Sequence, residues 1–206
     1  MAVRYLGAEV QRMEDPRLLT GHGRYVDDIT MEGMLHAAFL RAPMAHAKIR
    51  SIDASRATAL PGVHRVIAHA DLGAKYSHRM NQLYPAPVIE QDKTQYPLAK
   101  DEVCYVGEAV AVVVADSRAI AEDALALIDV DYEALPAVVN IRTALDDDAP
   151  LAHADTTSNL MGKMRSSFGD IEDSFAKADH VFSAAFMQHR GGCHSMETRG
   201  VIARDD

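Results

Sequence analysis

The chain has 206 residues and a net charge of −9, with 48% apolar and 25% charged residues, an ordinary mixture for a soluble globular protein of one domain or one domain plus part of another. The negative balance disfavours nonspecific nucleic-acid binding, because a phosphate backbone repels such a surface. Its two cysteines, Cys104 and Cys193, form neither a CxxC pair nor a disulfide framework, and no window holds the ~20 apolar residues of a bilayer span or the apolar core of a signal peptide. A reducing, cytoplasmic setting is expected.

Residues 1–33 are polar, with Asp15-Pro16 and Gly21-His22-Gly23 as punctuation. Arg24 to Ile29 reads as a short strand or extended arm, and Met34 to Arg41 as a strand broken at Ala42-Pro43. Ala47 to Asp53 is a further strand. Ser55 to Leu60 is a short helix stopped by Pro61-Gly62, Val63 to Ala68 is a strand, and Asp71-Leu72-Gly73 is a turn. Residues 74–100, with Pro85, Pro87 and Pro97, are irregular. A loop of that length in a compact domain is often functional or faces a partner.

Residues 103–139 are the most readable stretch. Ala109 to Ala115 holds four valines and no charge, which fits a strand covered on both faces. Burying those valines contributes at most about 6–12 kcal/mol. Asp116 and Ser117 can cap a helix, along which Ile120, Ala124 and Leu127 recur at helical spacing. The period then changes to two, with Ile128, Val130 and Tyr132 alternating with Asp129 and Asp131, until Leu135-Pro136 ends the strand. The unit predicts a right-handed parallel crossover. Asp53-Ala54-Ser55-Arg56-Ala57 and Asp116-Ser117-Arg118-Ala119 each follow a strand and open a helix, which suggests a duplicated strand-helix-strand unit beside the simpler reading that Asp and Ser start many helices.

Beyond Ala137 the composition shifts, and Asp146-Asp147-Asp148 with 151–168 reads as a linker. Asp170 to Ala178 predicts a helix, His180 to Phe186 a strand, and Gly191-Gly192 a turn. Residues 170–206 hold too few apolar side chains for a core of their own and read as the opening of a second domain.

No phosphate-binding glycine loop, GxSxG or HExxH is present. His189, Cys193, His194 and Glu197 are the densest set of potential metal ligands, yet packing or hydrogen bonding beside Gly191-Gly192 is the stronger reading. A Cys193–His194 nucleophile pair is weaker still, because neighbours on an extended chain point to opposite faces. Cys104 reads as a small buried hydrophobe. His36, His46 and His153 read as surface or satisfied core residues, and Glu108 more readily as an exposed acid at a bulge than as a buried one. Asp27-Asp28 reads as a solvated turn. No catalytic or metal residue is assigned.

Several blocks in order make the chain familiar: 12–29 (RMEDPRLLTGHGRYVDDI), 33–53 (GMLHAAFLRAPMAHAKIRSID), 60–66, 105–116 (YVGEAVAVVVAD), 130–140 (VDYEALPAVVN), 168–181 (FGDIEDSFAKADHV) and 195–200 (SMETRG). Together they resemble the start of the large, molybdopterin-binding subunit of the xanthine dehydrogenase / aldehyde oxidase family. Ser195 and Thr198 depart from prolines common in that family, and His22 from a basic residue. The resemblance implies an α+β fold with an N-terminal arm over 1–19, an α/β-hammerhead domain over 20–136, a linker over 137–159 and the incomplete beginning of the molybdopterin-binding domain over 160–206. It implies a molybdenum hydroxylase of xanthine dehydrogenase, aldehyde oxidase or carbon monoxide dehydrogenase type, oxidising an aldehyde, N-heterocycle or similar small molecule with water as oxygen source. The molybdopterin-molybdenum cofactor would be shared with a further molybdenum-domain chain, and Fe-S clusters and FAD would sit on partner subunits. The isolated chain would be inactive. The rival expectation is a non-catalytic assembly module or a truncated remnant.

Overall fold

The computed structural model describes residues 7–81, 88–91, 93–188, 191–192, 195 and 197–204. The chain divides into two compact units, Leu35–Asp173 and a second made of Met1–Met34 with Ser174–Asp206.

Among the described residues the first unit contains six strands: β1 (His36–Arg41), β2 (Ala47–Asp53), β3 (Val63–Ala68), β4 (Glu102–Val103), β5 (Ala109–Ala115) and β6 (Asp129–Ala134). They form two antiparallel three-stranded sheets, in the orders β1-β5-β3 and β4-β2-β6. The fold is α+β. Strand β5 is central because its alanines and valines leave no polar edge to turn outward: Val110, Ala111, Val113 and Ala115 are buried. The fully buried Val103, Val110 and Val113 each contribute about 1.5–3 kcal/mol.

The expected parallel crossover from β5 to β6 does not form. Both edges of β5 are occupied, by β1 and β3, so β6 has no free edge there and pairs with β2 in the other sheet. The two strand-helix-strand units are real and interlock. In the first, β2 leads through helix α2 (Ser55–Thr58) to β3; in the second, β5 leads through helix α3 (Arg118–Leu125) to β6. Each therefore crosses from one sheet to the other, and the units meet antiparallel, β2 on β6 and β3 on β5. Ala57 of α2 and Ala121 and Ala124 of α3 share one core with Val113 and Ala115. Ser117 caps α3, accepting from the Ile120 N–H at 3.3 Å. Gly62 has φ +87°, a left-handed conformation that other side chains rarely adopt, which suits glycine to the turn between α2 and β3.

The irregular stretch after β3 and the segment read as a linker (137–159) lie in the same compact unit as the sheets. Asn159 donates to the Ala144 and Pro150 carbonyls at 2.8 and 2.9 Å and accepts from the Ala152 N–H at 2.8 Å. Gln91 donates to the Leu160 carbonyl at 2.7 Å, and the Lys163 N–H to the Val88 carbonyl at 2.9 Å. Pro85 and Pro87 lie outside the described residues.

In the second unit, Asp15–Leu19 is a short helix, α1, rather than mere turn punctuation; Pro16 sits in the first turn, where no intrahelical N–H is lost. Val26–Asp28 is a 3-10 turn, not a strand, because Asp28 folds back to accept from the Tyr25 N–H at 2.9 Å. The predicted strand over His180 to Phe186 is not formed: no ladder partner exists for it among the described residues. The predicted helix over Asp170 to Ala178 appears as α4 (Ile171–Ala176), which spans the boundary between the units.

Candidate functional site

Period two on an extended segment turns Glu102 and Cys104 to one side while Val103, between them, is buried in a core. That side opens on a cleft of ≈ 720 Å³, lined among others by Arg79, Lys93, Glu102, Cys104, Glu108 and His153. His46, just ahead of β2, is 6% exposed and meets Glu102 from below: its Nε2 lies 3.4 Å from Glu102 Oε2, while its Nδ1 is 2.8 Å from the Pro136 carbonyl. Glu102 also accepts from the Ala154 N–H, at 3.1 Å to Oε2. Cys104 Sγ lies 3.2 Å from His153 Nδ1.

Glu108 is a buried acid, 7% exposed, which overturns the expectation of an exposed residue at a bulge. The reason is the tight turn at Tyr105–Gly107, where Gly107 has φ +94° and swings the chain back so that Glu108 accepts from the Cys104 N–H at 2.6 Å. Desolvation, against that hydrogen bond, pushes the Glu108 carboxyl above its ordinary range, with Glu102 adding to the rise. Burial, then the Glu102 and Glu108 charges, push the Cys104 thiol up to about 12, so it stays protonated at neutral pH. Burial pushes the His153 imidazole down despite Glu102. At the rim, Asp155 pairs with Lys93 at 2.6 Å and Arg79 at 3.2 Å. The hydrogen bond and charge of Lys93 hold the Asp155 carboxyl below its usual value. Arg79 also lies over the Tyr96 ring, 4.6 Å from its centroid.

The sequence reading treated His46 and His153 separately and did not connect them with Glu102 and Cys104. Alternation at Glu102-Val103-Cys104 was the available signal; nothing local announces a histidine 56 positions earlier. His46 is a satisfied core residue, as expected. Of the other candidate cluster, His189, Cys193 and His194 lie outside the described residues. Glu197 accepts from the Val26 N–H at 2.9 Å.

The region 20–136 matches the model of a protein family described as aldehyde oxidase and xanthine dehydrogenase, a/b hammerhead domain. The chain belongs to this family. It is 44% identical over 198 residues to the nicotine 6-hydroxylase large subunit of Paenarthrobacter nicotinovorans, an alignment covering 96% of this chain and 24% of the relative. It is 38% identical over 214 residues to the carbon monoxide dehydrogenase large chain of Afipia carboxidovorans, covering 98% of this chain and 26% of that one. Among solved structures it resembles quinoline 2-oxidoreductase from Pseudomonas putida 86, with a TM-score of 0.69 and 44% identity over 84% of this chain and 22% of the other. The chain thus spans about a quarter of the length of these large subunits.

A molybdopterin does not fit the described residues. Every buried side-chain nitrogen and oxygen among them already has a hydrogen-bond partner, and the cleft's Arg79 and Lys93 are engaged by Asp155.

Proposed function

We propose that the chain is the N-terminal hammerhead portion of a molybdenum hydroxylase large subunit. The assembled enzyme would oxidise an aldehyde, N-heterocycle or similar small molecule with water as oxygen source. The molybdopterin would be held by further large-subunit polypeptide, and Fe-S clusters and FAD by partner subunits, in the cytoplasm. Three similar relatives are large subunits or large chains of a hydroxylase and of carbon monoxide dehydrogenases, matched over 19–26% of their length. The observation that carries the reading is physical. From Met164 to Val201, large apolar side chains lie bare: Phe168 is 92% exposed, Phe182 90% and Phe186 93%. So many bare large apolar side chains in one stretch of chain call for covering polypeptide. The strands and helices of 36–134, by contrast, enclose cores around Val103, Val110 and Val113.

On this reading the chain frames and supports a site whose metal and base come from elsewhere. Affinity purification of the tagged chain from its own cell tests it. Recovery of molybdenum with a second polypeptide supports the proposal. A pterin held tightly by the isolated chain, or turnover by it, overturns it.

A further inference from the structure

The His46–Glu102–Cys104 cluster has no part in the function proposed above. We propose that these three side chains form a binding site for a divalent transition metal, with zinc the best match. One ligand atom from each lies within 4.8 Å of the others. A tetrahedral zinc with ligands at roughly 2.0–2.3 Å would space them about 3.3–3.8 Å apart. His46 Nε2 and Glu102 Oε2, at 3.4 Å, already stand at that spacing.

The tautomer supports the assignment. The Pro136 carbonyl can only accept, so His46 Nδ1 carries a proton. In the neutral ring Nε2 is then a lone pair, and it faces a carboxylate oxygen across 3.4 Å. Two such donors at this spacing can both bind one metal ion. A ring N–H fixed on a backbone carbonyl, with the other nitrogen free, is the usual outer-shell arrangement of a metal-bound histidine. The Ala154 N–H donates to the Glu102 carboxylate at 3.1 Å and helps to fix it. Cys104 supplies the soft donor that favours zinc over magnesium or calcium.

A thiol coordinated to a dication is deprotonated. Binding would release the thiol proton to solvent and leave one thiolate, one carboxylate and one neutral imidazole on the ion. Glu102 and Cys104 line the cleft together with His153, whose Nδ1 lies 3.2 Å from Cys104 Sγ.

Cobalt(II) titrated into the chelator-stripped 206-residue chain tests the site. The expected result is a one-to-one thiolate-to-cobalt charge-transfer band in the near ultraviolet, displaced by zinc. Affinity should rise about tenfold per pH unit while one thiol proton is released. Cys104→Ser should abolish the band, and His46→Gln and Glu102→Gln should each weaken zinc at least about 100-fold. Cys193→Ser should change neither property. Circular dichroism of the metal-free variants separates lost ligation from lost folding, and Glu102→Gln, the closest in shape, keeps the test open if His46→Gln unfolds. The absence of a band in the unaltered chain would overturn the proposal. A band that survives Cys104→Ser and vanishes in Cys193→Ser would also overturn it.

Discussion

The unit Leu35–Asp173 and the unit that contains Ser174–Asp206 use similar apolar residues to opposite effect. In the first, Val103, Val110 and Val113 are wholly enclosed. In the second, no described residue is buried, and Phe182 and Phe186 stand in solvent. The difference is one of partners. β5 has a strand on each edge and a helix on one face, whereas residues 180–186 have no strand to pair with among those described. Apolar character supplies a tendency to be buried; it becomes stability only where a second surface is in place to exclude water.

The largest expected effect breaks the first unit. Val113→Asp places a carboxylate among Ala57, Ala121 and Ala124 with no partner, and should cost more than about 4 kcal/mol in urea denaturation. Phe186→Ser should shift the same midpoint by less than about 0.5 kcal/mol and improve solubility. Equal losses from both would show that the tail is packed after all.

Hydrogen exchange sharpens the boundary. Amides of β5 should be protected most and those of 180–188 least. Protection should extend through the Gln91–Leu160 and Val88–Lys163 bonds rather than stop at residue 140. Exchange as fast at 158–163 as at 180–188 would contradict the pairing of those two segments.

A smaller effect is pH dependence within the first unit. Burial raises the Glu108 carboxyl, so its folded form binds more protons than the unfolded chain above the ordinary value of 4.5. Its contribution is full below 4.5 and is lost as pH rises through the elevated folded value. Glu108→Gln, which still offers an acceptor to the Cys104 N–H, should flatten that part of the stability–pH curve. His153 runs the other way: its lowered value gives stability present above 6.5 that is lost as pH falls through the folded value. His153→Gln should remove this acid-side loss in thermal melts between pH 5 and about 7.

The smallest effect is chemical. With its thiol pushed up to about 12, Cys104 in the metal-free chain should alkylate at least about tenfold more slowly at pH 8 than an unfolded reference cysteine. A faster reaction would mean that the cleft does not desolvate it.

The sequence by itself determined most strand positions. Ala47–Asp53, Val63–Ala68 and Ala109–Ala115 are where their apolar patterns place them, and Asp53 and Ser117 mark the turns into helices. Those signals are local, resting on side-chain alternation and on backbone groups a few residues apart. Only the tertiary structure decided which strands pair. β6 follows β5 in the chain but joins β2, because both edges of β5 are already taken. The same holds for the cleft: alternation puts Glu102 and Cys104 on one face, but His46 and His153 arrive from 56 and 49 residues away. Glu108 was misjudged because burial is a property of everything packed around a side chain, and a short polar motif beside a glycine carries no record of what will fold over it.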